Sequence, residues 1–149
     1  MKAAHMLVTE HDARRLTELI MRSEGSNGPD RDHLQALAEK LEQAAVVPPG
    51  AVPHDVVTIH SAVRIHHLDS DAVTTYTLAY PGRREAANAV SVLAPLGTAM
   101  LGCREGDEVE WHAPGGERRF KVLEVIHQPE AVARGLIASR EPGITTSAQ

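Results

Sequence analysis

Aromatic side chains are scarce in this chain of 149 residues, which contains one Trp, two Tyr and one Phe. Hydrophobic residues nevertheless make up 42% of the sequence, which is enough for a packed core. That core must be aliphatic, because Val, Leu, Ile and Ala are the residues available to fill it. Any pocket in the protein is therefore expected to have few aromatic walls.

Cysteine and long apolar runs are also scarce. The single Cys103 excludes an internal disulfide bond. No apolar run approaches the ~20 residues that a membrane-spanning helix needs. The N-terminus lacks the basic segment and the apolar core of a signal peptide. These absences predict a cytoplasmic protein that makes no contact with a membrane.

Basic residues are outnumbered, because 15 Lys and Arg stand against 20 Asp and Glu and give a formal charge of -5. A protein that holds nucleic acid through phosphate contacts needs a concentrated basic surface. We therefore expect no direct binding of nucleic acid. A protein partner with a basic surface fits the composition better.

The nine histidines do not form a recognisable metal motif. Zinc sites need cysteines or a fixed ligand spacing, and the adjacent His66 and His67 would point to opposite faces of a strand. The glycines from Gly97 to Gly116 lack the Gly-Lys-Ser/Thr motif of a phosphate-binding loop. Cys103 has no motif for an activating base beside it. The sequence thus predicts no catalytic residue, no metal site and no cofactor.

Two N-terminal segments have the apolar spacing of amphipathic helices. The first runs from Thr9 to Met21, where Thr9 and Asp12 approximate a capping box. Turn-forming residues from Ser23 to Pro29 separate it from a second run that opens near Asp30. Two such helices are expected to pack antiparallel, with a reach of about 20 to 24 Å. Their apolar positions are Ala13, Leu16, Leu19 and Ile20 in the first, and Leu34, Leu37, Leu41 and Ala44 in the second.

A proline-rich segment at residues 48–53 separates this helical hairpin, residues 1–47, from the C-terminal two thirds of the chain. Beyond it the apolar residues alternate with period two, as in strands. Residues 54–131 are therefore predicted to form an α+β domain with a mostly antiparallel sheet and one short helix. The tail, residues 132–149, has little to bury and is expected to be mobile.

The most informative segment runs from Ser91 to His127. A short helix is predicted from Pro95 to Leu101, since proline suits its first position and Gly102 the position just past its end. Strands are predicted on either side of the turn from Ala113 to Gly116, where glycines supply the positive φ angles of a tight reversal. Their ranges are Glu108 to His112 and Arg118 to His127.

This segment closely resembles the C-terminal domain of the Gre transcript-cleavage factors. The two share, in order and spacing, a Pro-Leu-Gly motif at Pro95, Gly-Asp-Glu-Val at Gly106 and Pro-Gly-Gly at Pro114. Matches from Pro53 to Thr58 and from Gln128 to Ala131 narrow the resemblance to small Gre-like proteins called regulators of nucleoside diphosphate kinase. The resemblance is close over residues 50 to 131 and covers the N-terminal third only in outline.

The resemblance implies a partner, RNA polymerase, and two contact regions. Gre-like proteins insert a helical hairpin into the secondary channel of the polymerase, and the tip residues here are Glu24, Asp30 and Asp32. The loop before the short helix of these proteins contacts a coiled coil at the channel rim, and it corresponds here to Leu93, Ala94, Pro95 and Leu96. The tip lacks the Gre signature and the arms are short, so we expect binding that does not complete the polymerase active site.

The resemblance also implies a fold like that of the FK506-binding proteins, which are peptidyl-prolyl isomerases. Fold similarity does not carry activity with it, and Tyr76, Tyr80, Trp111 and Phe120 are few for a proline pocket. The leading hypothesis is a non-enzymatic transcription regulator that competes with Gre factors and affects nucleoside diphosphate kinase indirectly. The alternatives are an isomerase or chaperone-like module and a transcript-cleavage cofactor.

Overall fold

A computed structural model of the chain describes residues 6–22, 31–81, 88–113 and 115–133. Helices and strands alternate irregularly along these ranges, as expected for a protein of mixed class. The helices are α1 (Glu10–Arg22), α2 (Arg31–Gln43), α3 (Pro95–Met100) and α4 (Pro129–Ala133), with a 3₁₀ turn at Pro49–Ala51. The strands are β1 (Leu7–Thr9), β2 (Ala45–Val47), β3 (Ala62–His67), β4 (Ala72–Ala79), β5 (Ala89–Ser91), β6 (Glu108–Ala113) and β7 (Gly116–His127).

Five strands form one sheet in the order β5-β4-β3-β7-β6. Every neighbouring pair is antiparallel except β4 and β5, which are parallel. The register between β3 and β7 shifts at two points, and such bulges bend a sheet and increase its twist. The prediction of a mostly antiparallel sheet combined with helices is confirmed.

A second, two-stranded sheet was not expected from the sequence. β1 pairs in parallel with β2, with Leu7 opposite Ala45 and Thr9 opposite Val47. Because β1 leads directly into α1 and α2 ends just before β2, this pair holds the start of α1 beside the end of α2. Strands of three residues are too short to show an alternating pattern, so nothing in the sequence signalled them.

The two long helices have 13 residues each and begin and end close to their predicted positions. The backbone N–H of Asp12 donates to the side-chain oxygen of Thr9 at 3.1 Å, which confirms Thr9 as the cap of α1. Within the described ranges, no helix is both long and apolar enough to cross a membrane.

The core is aliphatic, as the composition predicted, apart from the fully buried Phe120. Leu16 of α1 and Leu37 of α2 are fully buried in the same cluster as Val63 and Ile65 of β3. The apolar stripes of both helices therefore face the sheet as well as each other. Other stripe residues pack against this cluster at its edge, namely Ala13, Leu19, Ile20, Leu41 and Ala44.

Candidate partner-binding surface

The loop before α3 is held rigidly by its own hydrogen bonds. The side-chain oxygen of Ser91 accepts from the backbone N–H of Leu93 at 3.0 Å. The backbone carbonyl of Ser91 accepts from the backbone N–H of Ala94, also at 3.0 Å. The hydroxyl of Thr98 donates to the carbonyl of Val92 at 2.5 Å. Pro95 occupies the start of α3, where its missing N–H costs nothing. The loop therefore presents one fixed shape.

Four of the predicted contact residues lie in this loop and in the first turn of α3, but not all are accessible. Leu93, Ala94 and Pro95 are partly exposed, whereas Leu96 is only 8% exposed and belongs to the core cluster. The side chain of Leu96 thus packs into the core, and the accessible surface consists of the other three residues. We call Leu93, Ala94 and Pro95 the α3 loop surface. Its role in binding stays a prediction.

The predicted tip residues are only partly covered by the structure. Asp32 lies in the first turn of α2 with its side chain exposed to solvent. Glu24 and Asp30 lie outside the described residues. The structure therefore brings Asp32 to the end of α2 that is remote from β2, and it does not test the role of the three acidic residues.

Lys40 ties α2 to α3, an interaction that the sequence did not reveal. Its ammonium donates to the carbonyls of Thr98 and Ala99, the latter at 2.8 Å. The carbonyl of Ala99 also accepts from the thiol of Cys103 at 3.1 Å. These carbonyls belong to the last turn of α3, where a cation is favourable. The α3 helix, which follows the loop, is thus fixed to the C-terminal end of α2.

Burial lowers the pKa of Lys40 to about 8. The pKa of a lysine in the unfolded chain is about 10.5. Between about pH 8 and pH 10.5 the unfolded state therefore binds more protons than the folded state, and the free energy of unfolding must rise with pH. We expect the free energy of unfolding, relative to the variant Lys40→Met, to increase by about 2 kcal/mol between pH 7.5 and pH 9.5. Urea unfolding at a series of pH values measures this difference.

Lys121→Met, which removes a lysine from β7, is the matched control for this experiment. The difference between the wild type and Lys121→Met should stay nearly constant across the same pH range. Parallel stability curves for the wild type and Lys40→Met would show that the ammonium of Lys40 is not buried as described.

A second contact joins α1, through the buried carboxylate of Asp12, to the segments just before β3 and just after β4. One oxygen accepts from the backbone N–H of Ile59 at 3.1 Å, and the other accepts from the hydroxyl of Tyr80 at 3.4 Å. The guanidinium of Arg15 lies 5.0 Å from the centre of the Tyr80 ring. Asp12 thus attaches the start of α1 to Ile59 and Tyr80, whereas Lys40 attaches the end of α2 to α3.

The electrostatics of this second tie are those of a closed structural contact. Burial raises the pKa of Asp12, although the N–H of Ile59 opposes the shift. Burial and the neighbouring carboxylate of Asp12 raise the pKa of Tyr80. Nearby, the hydroxyl of Thr58 donates to the carboxylate of Glu130 at 2.7 Å. The polar atoms of this group bind one another.

His66 and His67 lie next to each other at the end of β3. His66 contacts Asp71 at 2.6 Å, whereas His67 contacts the hydroxyl of Tyr76 at 2.8 Å. The two neighbours thus have different partners, as their alternation along a strand predicted. Among residues 6–22, 31–81, 88–113 and 115–133, no group of three or more His, Cys, Asp or Glu could hold a metal ion.

Comparison with known proteins agrees with this architecture. Residues 52–127 match the family described as "Transcription elongation factor, GreA/GreB, C-term". The "Regulator of nucleoside diphosphate kinase" of Escherichia coli K12 is 37% identical over 134 residues, which span 89% of this chain and 96% of that protein. The chain belongs to the GreA/GreB family.

Two other members of the GreA/GreB family are similar to this chain, one over part of its sequence and the other in its structure. GreA of Helicobacter hepaticus is 37% identical over 98 residues, which span 64% of this chain and 59% of that factor. The solved structure of a GreA/GreB factor from Nitrosomonas europaea has a TM-score of 0.65 and 36% identity, and it covers 82% of this chain and 99% of its own. These relatives are named as regulators or transcription elongation factors, not as enzymes.

Proposed function

We propose that this GreA/GreB family member is a non-enzymatic transcription regulator that binds RNA polymerase near its secondary channel. The α3 loop surface makes the principal contact, and the helical hairpin of α1 and α2 extends toward the channel. The observation that supports this most directly is the rigid, partly exposed loop, which is tied through Lys40 to the base of the hairpin. A contact at the loop therefore fixes where the hairpin points.

The length of the helices sets how far such a hairpin reaches. Thirteen residues at 1.5 Å each span about 20 Å, and the buried Leu16 and Leu37 show that part of this length packs on the sheet. A hairpin of this reach occupies the entrance of a channel without delivering carboxylates deep inside it. The expected effect is competition with longer Gre factors. Any influence on nucleoside diphosphate kinase then results from altered transcription, so the amount of the kinase transcript should change.

Binding of purified RNA polymerase tests the proposal. Ala94→Arg places a long cation in the middle of the α3 loop surface, so it both obstructs the contact and repels a basic partner. We expect affinity to fall more than tenfold, as measured by interferometry with immobilised polymerase, and competition with GreA to be lost in parallel.

Val73→Arg is the matched control, because Val73 is 55% exposed on β4 and lies outside the α3 loop surface. It should bind like the wild type. The proposal would be abandoned if the wild type failed to bind polymerase, or if both variants bound equally well. Cleavage of the transcript in a backtracked elongation complex would instead identify a cleavage cofactor.

A further inference from the structure

A cleft of about 370 Å³ lies between the turn that joins β3 to β4 and the turn that joins β6 to β7. Its volume is within the range of pockets that hold small ligands. The residues that matter for its chemistry are His67, Asp69, Ser70, Trp111, Gly115 and Arg118. We call this space the turn cleft. It shares no residue with the α3 loop surface.

One wall of the turn cleft combines a cation with an aromatic ring. Trp111 of β6 and Arg118 of β7 are direct cross-strand partners, so their side chains are neighbours on one face of the sheet. The guanidinium of Arg118 presents a planar fork that matches a carboxylate. Gly115 leaves room for it, since a Cβ at that position would lie 3.2 Å from a terminal nitrogen of Arg118.

Trp111 carries an unexplained polar group. Its indole N–H is enclosed and has no hydrogen-bond partner. Such a donor loses its bonds to water without replacement, so each instance in a native protein calls for an explanation. An acceptor that enters the cleft beside Arg118 would reach this enclosed N–H only after the indole ring turns toward the cleft.

The opposite wall limits the charge of the ligand. Asp69 accepts from the backbone N–H of Arg119 at 2.7 Å, and its carboxylate lines the cleft. His67 is bonded to Tyr76, and burial lowers the pKa of His67, so it adds no positive charge at neutral pH. Arg118 alone among the lining residues is then cationic. One cation opposed by one carboxylate favours a monoanion over a doubly charged phosphate.

We propose that the turn cleft binds a carboxylate attached to a flat apolar group. Arg118 holds the carboxylate, the Trp111 ring covers the apolar part, and the hydroxyl of Ser70 completes the polar rim. The same chemistry is present in a free aromatic acid and in the C-terminal carboxylate of a peptide that ends in an aromatic residue. This site is independent of polymerase binding.

The full chain provides its own reporter, because Trp111 is the single tryptophan and gives a unique indole N–H signal in a ¹⁵N-labelled sample. Phenylacetate and a short peptide ending in phenylalanine are the two probes. We expect saturable displacement of the indole signal by at least one of them. The corresponding amides, phenylacetamide and the amidated peptide, should bind at least tenfold more weakly, because the charge-assisted hydrogen bond is lost.

Two variants localise the effect. Arg118→Gln should weaken binding at least tenfold while the backbone amide spectrum stays that of the folded protein. Arg119→Gln makes the same change one residue along β7, where the side chain points to the opposite face, and should bind like the wild type. Binding of only the free acid or only the peptide supports the site and identifies the source of the ligand.

Three results would overturn the proposal. The indole signal could stay unmoved by both probes at millimolar concentration. The amides could bind as well as the acids. Arg119→Gln could weaken binding as much as Arg118→Gln.

Discussion

Replacing Gly97 with alanine is expected to lower the free energy of unfolding by about 3 kcal/mol, at the upper end of the cost of overpacking. A Cβ at this position would lie 2.0 Å from the carbonyl oxygen of Ser91 and 2.8 Å from its carbonyl carbon. Both are backbone atoms, so no side chain can turn aside to make room. Urea unfolding measures the loss.

The same substitution should also impair binding of RNA polymerase. The carbonyl of Ser91 that meets the new methyl group accepts the hydrogen bond from Ala94, so moving it distorts the α3 loop surface. Gly50→Ala is the control, because nothing lies within 4 Å of a Cβ built there. It should change stability by less than about 0.5 kcal/mol, as surface substitutions do. A Gly97→Ala variant as stable as this control would show that α3 does not approach Ser91 as described.

Gly97 illustrates how much of the local structure could be predicted from sequence. Pro95 and Gly102 marked the two ends of α3, and the structure places Gly102 at a φ of +83°, as a helix stop requires. The role of Gly97 was less visible in the sequence. A glycine inside a helix can indicate close approach of another backbone, but the partner, Ser91, is known only from the fold.

The long-range contacts of the candidate site could not be predicted from the sequence either. The helical spacing of the apolar residues identified the apolar stripes of α1 and α2. Leu16 of the first stripe and Leu37 of the second are buried. Lys40 and Asp12 each find their partner about 50 residues away or more. Polar pairs of this kind depend on how the elements pack, so single-sequence patterns carry no signal for them.

α4 was missed for a different reason. Pro129 opens it, and its few residues end at Ala133, the last that the structure describes. A helix of five residues is too short to show a 3.6-residue period. Ala131 is nevertheless buried, and Glu130 bonds to Thr58, so tertiary contacts hold this turn in place.

Replacing Leu37 with alanine is expected to cost about 3 to 4 kcal/mol, within the range for large-to-small substitutions in a core. Leu37 is fully buried, and it belongs to the cluster that joins both long helices to the sheet. Because the helices share this core, we expect one cooperative unfolding transition. Gln35→Ala, an exposed position on the same helix, should change stability by less than about 0.5 kcal/mol.

Two probes of the Leu37→Ala variant decide whether α1 and α2 are stabilised by the sheet or fold independently. Far-UV circular dichroism reports on the helices, and the fluorescence of Trp111, the single tryptophan, reports on β6 of the sheet. If the core is shared, both midpoints in urea move down together by the same amount, since the cavity weakens helices and sheet at once. If the dichroism midpoint falls while the fluorescence midpoint stays, α1 and α2 unfold separately from the sheet, and Lys40 does not couple α2 to α3.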